Sequence, residues 1–184
     1  SGRNPITFDN WNNSKILAYW KYDDATKLGK DSHSWLGRLN NIRTALQGQQ
    51  GDRRLRLGIA GGEWKKMMAD ATARTRFASE VKKIIEQYDF DGVDFDFEWP
   101  ANASEYNNYS ATVIQMRSTL GKYVYFTASL HPVSFKISPE AIDALDFISY
   151  QCYGPAVMRF PYEQFVKDGE AAVAYGIPKN KLVM

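Results

Sequence analysis

Asp94, Asp96 and Glu98 stand at alternate positions in the stretch Asp91-Gly92-Val93-Asp94-Phe95-Asp96-Phe97-Glu98-Trp99-Pro100, with Val93, Phe95 and Phe97 in register against them. A period of two is the period of a β-strand, so the three carboxylates face one way and the three apolar side chains the other. Along the strand such carboxylates lie about 6.5 Å apart and repel one another. That face is tolerated where solvent, a ligand or a metal meets it, and the interior mouth of a barrel is one such place. Among the readings open at this level is a cation-dependent phosphoesterase, which would use Asp94, Asp96 and Glu98 as ligands and would need a His converging on them. A solvated acidic strand without chemistry is another.

The elements that must position these residues are read from the rest of the chain. Its 184 residues, 44% hydrophobic and 14% aromatic, suffice for one sizeable core in a single folded domain. A formal charge of +2 without a block of like charges argues against nucleic acid and membrane surfaces as partners. Cys152 is the one cysteine and forms no disulfide within these residues. No apolar run approaches the roughly 20 residues of a membrane span. Ser1-Gly2-Arg3-Asn4 has no signal-peptide core, so the signal of an exported protein would lie outside this sequence.

Taken in order, short apolar runs alternate with helical patterns. Lys15–Trp20 reads as a strand and Trp35–Gln47 as a helix that Gly48 stops. Arg54–Ala60 is a strand ending in Gly61-Gly62. A helix follows from Glu63 to Tyr88, divisible in two, with Phe77, Val81, Ile84 and Ile85 on one face. After the acidic strand, Ser104 is the expected cap of a helix to Leu120 that carries Tyr109, Val113 and Met116. Tyr123–Leu130 and Leu145–Tyr153 read as strands, Ser138-Pro139-Glu140 as the start of a short helix, and Phe160–Tyr175 as the last helix before Gly176. Lys181–Met184 begins a further strand. Strands alternating with helices imply a parallel sheet, either a (β/α)8 TIM barrel or a doubly wound sheet. Glu98 at a strand's C-terminal end favours the barrel, whose active sites lie there.

Asp91-Gly92-Val93-Asp94-Phe95-Asp96-Phe97-Glu98, followed by Trp99-Pro100, resembles the D-G-x-D-x-D-x-E signature of glycoside hydrolase family 18, the chitinases and endo-β-N-acetylglucosaminidases. Other segments are similar to strands of that family. Lys15–Trp20, with Ala18-Tyr19, resembles its second strand, and Leu57–Gly62 its third, with Ile59 where Ser is usual. Tyr123–Pro132 resembles its fifth strand and Leu145–Gly154 its sixth, where M-x-Y-D reads Gln151-Cys152-Tyr153-Gly154. Gly176–Val183 leads into its seventh.

The resemblance implies a retaining glycosidase acting on β-1,4-linked N-acetylglucosamine, in chitin or in N-glycans, with the substrate's own 2-acetamido oxygen as nucleophile. Glu98 would be the acid and base, its pKa raised by Asp96 and by the apolar rim of Phe97 and Trp99. Asp96 would hold the acetamido N–H, and Asp94 would share a proton with Asp96. Asp91, off the inward face, would be structural. Tyr153 falls on the strand face of Ser149 and Gln151, with its hydroxyl aimed at the acetamido oxygen; a core ring with a wet hydroxyl is the alternative. Gly154 in place of Asp removes a polar contact. Trp99 and Trp64 are candidate stacking platforms, and Tyr19, Gln151 and His131 candidate cleft residues. The resemblance implies no cofactor or metal, and a secreted, periplasmic or cell-surface location. A non-catalytic carbohydrate-binding relative is the alternative, against which the presence of Glu98 argues.

On this alignment the family's first strand, most of its seventh and all of its eighth are missing, so the chain reads as one catalytic domain, 1–184, truncated at both ends. A barrel needs all its strands to pair its edges. Roughly 15 to 30 residues are expected before Ser1 and several tens after Met184. Expressed alone, residues 1–184 are then expected to be inactive and to associate or unfold at low temperature; a cooperatively unfolding, active monomer in a thermal melt and hydrolysis assay would contradict this.

Overall fold

The structure is a computed structural model that describes residues 35–47, 54–61, 63–153 and 161–184. The expected strand Lys15–Trp20, with Tyr19, lies outside the described residues, as does Gly154.

Along the chain come α1 (Trp35–Gln47), β1 (Arg56–Ala60), α2 (Trp64–Ala69), α3 (Ala71–Tyr88), β2 (Gly92–Asp96) and α4 (Ala103–Leu120). Then follow β3 (Tyr125–Leu130), α5 (Pro139–Ala144), β4 (Phe147–Tyr150), α6 (Tyr162–Tyr175), a 3-10 turn and β5 (Leu182–Val183). The strands pair in the order β1-β2-β3-β4-β5, every pair parallel. A doubly wound sheet reverses its strand order at a switch point. Here each new strand joins the same growing edge, and crossovers of one hand keep the helices on one face. Among the described residues the sheet is an arc of a (β/α)8 barrel, with the opposite face turned to the interior.

The helices form where the spacing of apolar residues predicts. In α3, Phe77, Val81, Ile84 and Ile85 are all buried. The division before it is made by Asp70, whose extended backbone ends α2 and whose carboxylate accepts from the Ala73 N–H at 2.6 Å. Tyr109, Val113 and Met116 of α4 are fully buried. Its cap is Asn102, not Ser104: Asn102 Oδ1 accepts from the Glu105 N–H at 3.0 Å, and Glu105 Oε2 reaches back to the Ala101 N–H at 2.7 Å. That reciprocal pair outcompetes a serine cap two residues on. Ser138 caps α5 with Pro139 in the first turn, as expected. Among the described residues no helix is long and apolar enough to cross a membrane.

In the arc β2 lies between β1 and β3. Val93, Phe95 and Phe97 are 0%, 0% and 1% exposed beneath the helices. Phe95 meets Phe77 of α3 at 5.8 Å, Tyr109 of α4 at 6.4 Å and Phe126 of β3 at 4.8 Å between ring centroids. Burial of such side chains stabilises by roughly 1.5–3 kcal/mol each. At the strand's start Asp91 is structural, as expected: its Oδ2 accepts from the Leu55 N–H at 2.6 Å, its N–H donates to Leu55 O and its carbonyl accepts from the Tyr125 N–H.

Gly92 stands in register between Arg56 of β1 and Tyr125 of β3. A Cβ there would run into the backbone carbonyl of Tyr125. Gly92→Ala is therefore expected to destabilise the protein by about 1–3 kcal/mol through forced displacement of β3; a urea midpoint equal to the parent's would contradict this close approach.

Candidate active site

The pleat of β2 carries Asp94 and Asp96 to the interior face, where both are half-buried, and the exposed Glu98 follows two residues beyond the strand. β2 ends at Asp96, so Glu98 sits on the loop at the mouth and not on the strand itself. The peptide bond between Glu98 and Trp99 is cis. The loop's backbone is anchored from both sides. Trp64 Nε1 donates to Glu98 O at 3.4 Å, and Ser134 Oγ donates to Pro100 O at 2.5 Å while accepting from the Tyr106 hydroxyl at 3.1 Å.

Each aspartate has its own donors. Asp94 Oδ1 accepts from Thr127 Oγ1 and from Arg56 Nη1, the latter at 3.3 Å, and its Oδ2 accepts from Ser129 Oγ at 3.1 Å. Arg56 Nη1 also donates to Thr127 Oγ1. Asp96 Oδ1 accepts from Gln151 Nε2 at 2.7 Å. Burial pushes the Asp96 pKa up; the Gln151 hydrogen bond opposes this, and the charge of Asp94 adds to it. The carboxyls that were expected to share a proton are thus held by separate donor sets and act on each other through charge.

The expected partners separate into those that gather here and those that do not. Gln151 is buried and joins Asp96 directly. Tyr153 lies three residues past the end of β4 and is 65% exposed. It is not on a strand as expected, yet it belongs to this end of the sheet: burial, then the negative charges of Asp96 and Glu98, raise its pKa. Trp99 and His131 come together, their half-buried rings 4.7 Å apart, and His131 Nδ1 accepts from the Val133 N–H at 3.2 Å. Trp64 is no stacking platform. It is 3% exposed and packs on Phe97 and Tyr109 at 5.9 and 6.1 Å, because the first turn of α2 faces the core. Tyr19 lies outside the described residues.

Sequence reasoning missed Arg56, Thr127 and Ser129. The signal was present in the alternation of β1 and β3, whose inward positions it would have identified. Ile59, expected in place of a family Ser, is buried in the core; the β1 residue in register with Asp94 is Gly58. Among the described residues no group of three or more His, Cys, Asp or Glu side chains converges as a metal site. The phosphoesterase reading needed a His converging on the carboxylates; His131 lies with its ring tilted against Trp99. An apolar cavity of about 500 Å³ lined by Phe165, Val173, Leu182 and Met184 shares no residue with the carboxylate set.

The raised Asp96 pKa has a consequence for stability. The folded state binds this proton more tightly than the unfolded chain does, so the associated stability is fully present below the ordinary value of 3.8 and is lost as pH rises through the folded pKa. Asp96→Asn, which cannot ionise, is expected to gain stability relative to the parent at neutral pH and not at pH below 3.8. Urea midpoints at the two pH values test this, and an equal difference at both would refute it.

With this geometry in place, three comparisons bear on identity. A 124-residue stretch is 25% identical to a class V chitinase of Arabidopsis thaliana, covering 56% of this chain and 33% of that protein. A 66-residue stretch is 33% identical to chitinase B of Serratia marcescens, covering 36% of this chain and 13% of that one. In structure, a chitinase from Bacteroides thetaiotaomicron superposes with a TM-score of 0.70 at 18% identity, over 83% of this chain and 52% of the other. A class V chitinase from Nicotiana tobaccum in complex with NAG4 does so with a TM-score of 0.64 at 17% identity, over 79% and 51%. The chain thus spans a third or less of these two curated relatives and about half of each structure. The model of the family described as glycosyl hydrolases family 18 matches residues 6–182, nearly the whole sequence, and the chain belongs to that family.

Proposed function

We propose that this chain carries the catalytic carboxylates of a glycosidase that cleaves β-1,4-linked N-acetylglucosamine in chitin or chitooligosaccharides, with retention and with the substrate's acetamido group as nucleophile. The observation that carries the reading is the Asp96 carboxyl: it faces the interior, is held by Gln151 and lies on the strand that leads to the exposed Glu98. Chitinases among the relatives, one of them bound to NAG4, support the substrate class.

In this scheme Glu98 gives its proton to the glycosidic oxygen as the C1–O bond breaks, and the acetamido carbonyl oxygen bonds to C1 from the other side. Asp96 accepts the acetamido N–H and faces the positive charge of the oxazolinium ion. The Tyr153 hydroxyl donates to the acetamido oxygen. Glu98 then takes a proton from water, whose oxygen attacks C1 and breaks its bond to the acetamido oxygen, regenerating the acetamido group and giving the β-anomer. Trp99 beside His131 offers an aromatic face to a sugar ring. The scheme calls for no cofactor.

Glu98→Gln keeps the side chain's shape and cannot donate the proton. It is expected to abolish hydrolysis while oligosaccharide binding stays within about tenfold. Asp96→Asn is expected to lower the rate by about a hundredfold or more. NMR of the product within minutes of mixing should give the β-anomer, and de-N-acetylated substrate should stay intact. An α-anomer as first product sinks the mechanism. Binding without cleavage by the full-length protein favours the carbohydrate-binding reading, and cleavage of high-mannose glycopeptides alone favours an endo-β-N-acetylglucosaminidase. Chelator is expected to have no effect.

A further inference from the structure

Below the carboxylates, the interior face of the arc is floored by cations on rings. The Arg56 guanidinium lies 4.9 Å from the centre of the Phe147 ring and Arg54 lies 4.1 Å from that of Tyr125, while the two rings meet edge to face at 6.3 Å. Arg56 is in register with Gly92 on β2, so no side chain stands between its guanidinium and the strands beyond. It reaches across β2 to Asp94 and to Thr127 on β3. The pair is partly removed from water, the Arg56 and Asp94 side chains being 29% and 19% exposed. An ion pair in such a place is strengthened by low dielectric and held by its extra hydrogen bonds, unlike a pair on the surface.

We propose that Arg56 is a positioning residue for the reaction: with Thr127 and Ser129 it pins both oxygens of Asp94 into the floor of the barrel interior, leaving Asp96 as the one carboxyl of the two that turns to the sugar. The inference rests on the glycosidase reading for its catalytic meaning and on geometry alone for the positioning. Two effects follow. Asp94 is kept from rotating toward the mouth, where a second carboxylate would compete for the acetamido N–H. The guanidinium charge also offsets part of the repulsion that Asp94 exerts on Asp96. Among the described residues Arg56 of β1 pairs with Asp94, Tyr109 of α4 feels the charge of both aspartates, and Tyr153 at the mouth feels those of Asp96 and Glu98; Arg54 and Tyr125 lie in the floor beside them.

The test is a carbon-13 titration of the Asp96 carboxyl in the full-length protein. In Arg56→Met the midpoint is expected to move up by roughly half a unit to one unit, since a nearby positive charge is lost. Arg56→Lys should return it toward the parent value. Arg56→Gln keeps an amide donor toward Thr127 and removes only the charge, and makes the same comparison should the Met variant not fold. In activity, the neutral variants should lose about tenfold or more in kcat, with KM within about threefold and the acid limb of the profile moved to higher pH. An unmoved Asp96 midpoint in a folded neutral variant overturns the proposal. A wild type that cleaves no N-acetylglucosamine substrate would overturn the glycosidase reading instead, and the titration would still decide the role of Arg56.

Discussion

Val93, Phe95 and Phe97 cannot leave the layer between sheet and helices without exposing three large apolar side chains, and that constraint decides where the carboxylates go. Because the strand period is two, seating these residues under α3 and α4 forces Asp94 and Asp96 to the opposite face. A register slip of one residue would bury two aspartates among phenylalanine rings. The neighbouring strands are fixed with it: Gly58 and Ala60 of β1 lie beside Asp94 and Asp96, and Thr127 of β3 beside Asp94. The hydrophobic core therefore sets the chemistry of the interior without contributing a reacting atom to it.

The second constraint is electrostatic. Carboxylates half removed from water are costly unless donors meet them. The two aspartates meet different sets. Asp94 has a cation and two hydroxyls; Asp96 has one amide, Gln151, and an environment that resists its ionisation. Chemically similar residues two positions apart thus acquire different tasks from their surroundings, which is how a single strand supplies both an anchor and a group available to a substrate.

What the sequence made legible was what periodicity and caps encode. The acidic strand, the buried face of α3 and the parallel order of strands all follow from spacing that survives folding, whereas the place where the helix before β2 divides, Asp70, came only with the structure. What it hid was register between distant strands. Arg56 reads as one more charged residue until β1 is placed beside β2 with Arg56 against Gly92. Ile59 reads as standing where the family has Ser until the pleat sends it to the core and leaves Gly58 on the inner face. Asn102 took the cap from Ser104 because the reciprocal bond through Glu105 is worth more than a lone hydroxyl.

Trp64 and Trp99 make the same point about the mouth of the site. In sequence both are aromatic residues next to the ends of strands, equally fit to stack on a sugar. In the fold Trp64 enters the core through the first turn of α2 and turns its indole N–H onto the carbonyl of Glu98. Trp99, three residues beyond the end of β2, stays half-buried against His131. One tryptophan thus fixes the backbone that presents the carboxylate, and the other lines the surface beside it. With Pro100 tied to Ser134 on the far side, the loop carrying Glu98 is held at both ends while its side chain faces solvent. A proton donor needs that combination, since its backbone must not drift and its carboxyl must still reach a substrate that arrives from outside.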